Sequence, residues 1–126
     1  MQGNGFSVIS AVSPSSVLAD AFISMEGVTP MPARPGTAPI HWLYTVLLEA
    51  STTVEKRRRL VQDLGSRGIE ARPLWHPIHQ LPPYQESQAY LIDQAPGLYA
   101  RAVSLPSSVG LSAEEQQSTI NAVAEC

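Results

Sequence analysis

The sequence predicts an α/β chain of the α+β kind: a two-layer sandwich whose small, mainly antiparallel sheet carries helices on one face. Three observations predict it. An aromatic and aliphatic run at 40–48 has the character of a strand. Two Ser/Thr-x-x-Glu spacings open helical stretches later in the chain. Strand-like and helical segments alternate without a glycine-rich phosphate turn, which removes the common nucleotide-binding layouts.

The elements follow in order. Residues 1–40 are rich in glycine, proline and serine and read as an N-terminal arm, with Val17 to Ile23 its one stretch able to form a short helix. The body is placed at 41–126. In its first strand Trp42, Tyr44, Val46 and Leu48 share one face, while Leu43, Thr45 and Leu47 share the other. Both faces are apolar, so this strand belongs at the centre of the sheet. Thr52 and Glu55 stand in capping-box spacing ahead of a helix over about 53–66. Leu60, Val61 and Leu64 are its buried stripe, Arg57 to Arg59 its wet side, and Gly68 the left-handed residue that ends it. A strand is expected at 69–72, a short helix at 96–101 with proline in its first turn, and a strand at 103–105. Ser112 and Glu115 repeat the capping-box spacing before a last helix over 113–125 that buries Ile120 and Val123.

Composition narrows the function classes. Charged residues make up 15% and the net charge is −3, so the local cluster Arg57 to Arg59 is no nucleic-acid footprint. The single cysteine, Cys126, rules out an intrachain disulfide and suits a reducing compartment. No apolar run approaches the ~20 residues that cross a bilayer. Leu18-Ala19-Asp20-Ala21 loosely imitates a signal-cleavage site, yet no basic residue precedes it, so the protein is read as cytoplasmic.

The most informative stretch runs from Gly68 to Tyr84. Pro73, Pro77, Pro82 and Pro83 fix the backbone there and push Arg72 and His76, each before a proline, into extended conformations. A shaped loop then presents Arg72, Trp75, His76 and His79 in fixed order. Other roles are open to each of them. Arg72 can pair with Glu70 or Glu49 as a surface ion pair, and Trp75 can anchor a core or an interface. His76 and His79 are three apart, but Pro77 denies them a helix, and a metal would need Glu86 or His41 to approach in space. No metal site is assigned.

This stretch, with Trp42-Leu43-Tyr44 before it and Ala102-Val103-Ser104-Leu105-Pro106 after it, resembles the C-terminal small domain of the DegT/DnrJ/EryC1/StrS family of nucleotide-sugar aminotransferases. The R-P-x-W-x-P-x-H run of that family borders the nucleotide-sugar pocket. Here it reads Arg72-Pro73-Leu74-Trp75-His76-Pro77-Ile78-His79, and the resemblance assigns Arg72, Trp75, His76 and His79 to a remnant of the substrate site.

Family members use pyridoxal phosphate (PLP). The resemblance implies that their catalytic lysine and most cofactor contacts lie in a large N-terminal domain beyond the reach of 126 residues. The residues agree, since an internal aldimine needs a lysine amine in a cofactor pocket and the one lysine here, Lys56, stands in a charge run expected to be solvated. No catalytic or cofactor-binding residue is therefore assigned, and the isolated chain is expected to carry no PLP. Two functions are open. The chain is a stand-alone or truncated small domain that binds a ligand or partner and catalyses nothing alone, or it is half of a split transaminase completed by a large-domain chain. The first is preferred because it needs no unseen chain. A small domain without its large neighbour leaves apolar surface to cover, which points to a homodimer assisted by the arm.

Overall fold

Tyr44, Val46 and Leu48 alternate with Thr45 and Leu47 along β2 (Tyr44–Leu48), the strand around which the fold is built. The computed structural model describes residues 14–126. Its chain order is α1 (Pro14–Ile23), β1 (Val28–Pro30), β2, α2 (Val54–Ser66), β3 (Arg72–Pro73), α3 (Ala95–Arg101), β4 (Ala102–Leu105) and α4 (Ala113–Ala124), with short 3-10 turns at Ile78–Gln80 and Pro82–Tyr84. The sheet is fully antiparallel in the order β1-β2-β4-β3, so β2 is central as its two apolar faces require. Register sets Tyr44 opposite Leu105 and Val46 opposite Val103. Their common face meets Leu18 and Phe22 of α1, Leu64 of α2, and Ile120 and Val123 of α4 in one core. On the reverse face Thr45 and Ser104 join hydroxyls at 3.1 Å across the strands. The architecture is the expected α/β sandwich.

The expected arm supplies two elements of this body. Leu18 and Phe22 have no solvent exposure, Phe22 stacks on Tyr44 with ring centroids 6.3 Å apart, and β1 pairs with β2 from Val28 to Pro30. Residues 14–40 of the arm therefore pack against the body and share its core and its sheet. The part of the arm at 1–13 lies outside the described residues.

Three local expectations shift. Trp42 and Leu43 stand outside the strand, because β4 ends before Pro106, which has no N–H for the ladder. The Ser107 hydroxyl bonds the Trp42 carbonyl at 3.0 Å instead. The cap of α2 is Thr53, whose hydroxyl accepts the Lys56 amide; the Thr52 amide is spent on the Glu49 carbonyl, and the Glu55 carboxylate bonds Arg58 rather than reaching back. Finally, the strand expected at 69–72 begins only at Arg72. The Ile69 amide closes the end of α2 on the Leu64 carbonyl and the Ala71 amide turns to Ile69, so neither is free for β4.

That helix end is a Schellman motif: the Gly68 amide bonds the Gly65 carbonyl, Ile69 bonds Leu64, and Gly68 takes φ +78° as expected. The capping box of α4 forms as the sequence reads, with the Ser112 hydroxyl on the Glu115 amide and the Glu115 carboxylate on the Ser112 amide at 2.7 Å. Arg67 ties the C-terminal ends of both helices together by pairing with Asp63 and Glu125.

Candidate functional site

The prolines do shape the loop. Arg72 and Pro73 pair with Ser104 and Val103 at the sheet edge, where a proline costs no interior hydrogen bond. Pro77 then opens the turn holding His79, and Pro82 and Pro83 begin the next. Among the described residues the hydrogen bonds of 74–94 run between near neighbours, such as Gln80 to Pro77 and Ser87 to Tyr84, so the loop is knitted to itself more than to the body.

Each of the four expected residues has a definite place. Arg72 is exposed and paired with Glu70, which holds the Glu70 carboxyl below its usual range and the guanidinium above its own. Trp75 is 78% exposed, so it is no core anchor. His76 is exposed as well, yet its ring lies 4.8 Å from that of Tyr99 of α3 and nearly perpendicular to it. His79 is half-buried and lines a cavity of about 440 Å³ with Pro77, Ile78, Tyr84 and Ile92. The loop therefore offers an open arginine and tryptophan on one stretch and a histidine-lined hollow beyond it. Among the described residues no three His, Cys, Asp or Glu side chains are grouped to hold a metal ion.

The wet side of α2 needs correcting. Lys56, Arg58 and Arg59 are exposed, but Arg57 is buried at 4% exposure. Its guanidinium lies 4.5 Å from the centre of the Tyr99 ring and donates through Nη1 to the Tyr99 carbonyl, while Nε has no partner among the described residues. Helical spacing was the available signal, since Arg57 precedes Val61 by four positions and Leu64 by seven and so shares their stripe.

A second hollow, about 490 Å³, opens before β2 between Met31, Pro39, His41, Trp42 and Tyr44. His41 takes φ +46° there, and Ile40 and Trp42 beside it are 93% and 74% exposed. The Tyr44 hydroxyl is buried without a partner among the described residues, and burial, with Asp20 adding to it, pushes its pKa up.

The described residues do not fit PLP. Lys56 is exposed and borders a cavity whose other ionisable groups include Glu26 and Glu49, where a phosphate dianion would meet carboxylates. Across the described residues no helix is long and apolar enough to cross a membrane.

Over 72 residues, 57% of this chain and 19% of the other, the sequence is 33% identical to GDP-perosamine synthase of Caulobacter vibrioides. It is 36% identical over 76 residues to GDP-perosamine synthase of Escherichia coli O157:H7, covering 60% of this chain and 20% of that one. In structure it resembles Helicobacter pylori PseC, an aminotransferase involved in the biosynthesis of pseudoaminic acid. The TM-score is 0.76 at 24% identity, over 89% of this chain and 30% of that one. The chain thus spans about a fifth of these curated relatives' length. The sequence profile of the DegT/DnrJ/EryC1/StrS aminotransferase family matches residues 14–124, and the chain belongs to that family as a short segment of it.

Proposed function

We propose that this chain is a small-domain module of a nucleotide-sugar aminotransferase that by itself binds and does not catalyse. Arg72, Trp75, His76 and His79 supply one wall of a nucleotide-sugar site. The observation that carries the reading is the exposure of both Trp75 and Arg72 on the one proline-framed loop. A guanidinium fork suits a phosphate, and an indole can cover a base or a sugar face. The Arg72–Glu70 pair does not oppose this, because an exposed ion pair is held weakly and a phosphate can displace the carboxylate. The amino transfer itself would need a lysine and a cofactor seat that Lys56 does not provide.

Titrating the chain with GDP-mannose and with UDP-N-acetylglucosamine tests the binding wall: weak binding that perturbs Trp75 and is diminished by Arg72→Ala is expected. Unmoved loop resonances at saturating ligand refute it. Incubation with PLP, borohydride reduction and adduct mapping test the absence of catalysis, and a stoichiometric Lys56 adduct with amino-group transfer would overturn that part.

A second reading draws on the exposed Ile40 and Trp42 beside their hollow. Apolar surface of this kind calls for a cover, and a large domain on another chain would complete a split transaminase, while a second copy would make a homodimer. Sedimentation separates these: a concentration-dependent dimer supports the second copy, and a lone monomer that shifts only with a co-expressed large-domain chain supports the split enzyme.

A further inference from the structure

We propose that Arg57 and Tyr99 are positioning residues for the candidate ligand loop, acting through His76. The inference deepens the binding-wall reading above and rests on it for its ligand, though not for its geometry. Tyr99 stands between two partners. On one side the Arg57 guanidinium lies 4.5 Å from its ring centre and donates to its carbonyl, so ring and backbone are held by one buried side chain. On the other, the His76 ring meets it at 4.8 Å and 80°, within the separation and the angle that aromatic pairs prefer.

The loop has few other holds. Beyond the two-residue pairing of β3 with β4, the hydrogen bonds of residues 74–94 among the described residues stay between near neighbours. Trp75 immediately precedes His76, and Pro77 immediately follows it with φ fixed by its ring. Holding the exposed His76 ring against Tyr99 therefore narrows the directions in which Trp75 can leave the backbone. Without the Tyr99 contact the loop samples more orientations, and ligand binding must then supply the ordering that Arg57 and Tyr99 supply in advance.

Arg57 is poorly explained as a contributor to stability alone. Among the described residues this buried cation has no partner for its Nε and makes no ion pair with a carboxylate. An apolar residue on the same helical stripe would fill the space without that penalty. What it would not do is hold a carbonyl and a ring face together.

The test uses the 126-residue chain with labelled histidine and follows the imidazole protons of His41, His76 and His79 with and without GDP-mannose. In the parent protein the Tyr99 ring current should displace the His76 signals, while His79 serves as the control within the same loop. Tyr99→Phe should keep both that displacement and the affinity. Tyr99→Leu and Arg57→Met should return His76 towards its free position and weaken binding by roughly three- to tenfold, with His79 and the thermal transition nearly unchanged. Arg57→Lys, which keeps the charge and loses the fork, should resemble Arg57→Met. If Arg57→Met does not fold, Tyr99→Phe against Tyr99→Leu decides alone. Unchanged His76 signals in Tyr99→Leu overturn the proposal, and so do displaced signals with full affinity. A parent chain that binds no nucleotide sugar instead refutes the binding wall, and the His76 signals still decide whether Arg57 and Tyr99 set the loop.

Discussion

Phe22→Ala should be among the most damaging single substitutions in this chain, although it falls in a stretch whose composition resembles a linker. Phe22 is fully buried, stacks on Tyr44 of the central strand, and shares the core with Leu18, Leu64 and Val46. Removing a buried phenyl ring loses its transfer free energy and leaves a cavity, together about 3–5 kcal/mol. Domains of this size have a total stability of roughly 5–15 kcal/mol. At about 2.1 cal/mol/K of unfolding entropy per residue, 1 kcal/mol shifts the Tm of a chain this long by about 4 °C, so a fall of roughly 12–20 °C is expected. Urea unfolding followed by tryptophan fluorescence, with a thermal melt alongside, measures both quantities. A loss below about 1 kcal/mol at unchanged m-value would refute the placement of α1 in the core.

Other substitutions check the local chemistry. Thr53→Ala should cost about 1 kcal/mol by removing the cap of α2, whereas Thr52→Ala should cost much less, and denaturant midpoints of the pair tell the two apart. Gly68→Ala should cost roughly 1–2 kcal/mol for conformation alone, since φ is +78° and an added Cβ meets nothing within 4 Å. Glu115 is held below the usual carboxylate range by its hydrogen bonds to Ser112. A depressed folded value means that its contribution is present above the unfolded value and is lost as pH falls through the folded one. Stability measured against pH should show this acid loss in the parent chain and a smaller one in Glu115→Gln.

Much of the fold was legible because its punctuation is local. The Gly68 helix end, the Ser112/Glu115 box and the Tyr44–Leu48 part of the two-sided apolar strand expected at 40–48 each rest on residues a few positions apart, and all three form. Local evidence failed where a neighbouring bond decided the matter. Thr52 and Thr53 are equivalent as sequence, and only the turn from Glu49 to Thr52 makes the second one the cap. Composition left residues 14–40 undecided between an arm against the body and a linker, although Leu18 and Phe22 are four apart on one helical face and bury fully. Few apolar residues suffice when each of them is buried.

At the loop the contrast is sharper. Its proline framework and the Arg72–Glu70 pair lie within one short stretch and could be read directly. Tyr99 could not, because Arg57 reaches its carbonyl across 42 positions and no pattern near His76 announces a ring beside it. The charge run hid the same fact from the other side. Five consecutive charged residues, Glu55 to Arg59, suggest a uniformly wet face, yet a helix turns 100° per residue and cannot keep five successive side chains in water once its opposite stripe is buried. One of them must face inward, and the spacing to Val61 and Leu64 selects Arg57. An arginine forced inward needs acceptors, and α3 supplies the Tyr99 carbonyl and ring. The cation that shapes the loop therefore sits on a helix, while the cation proposed to meet a phosphate, Arg72, sits on the sheet edge, and substitution of either should leave the other's contacts in place.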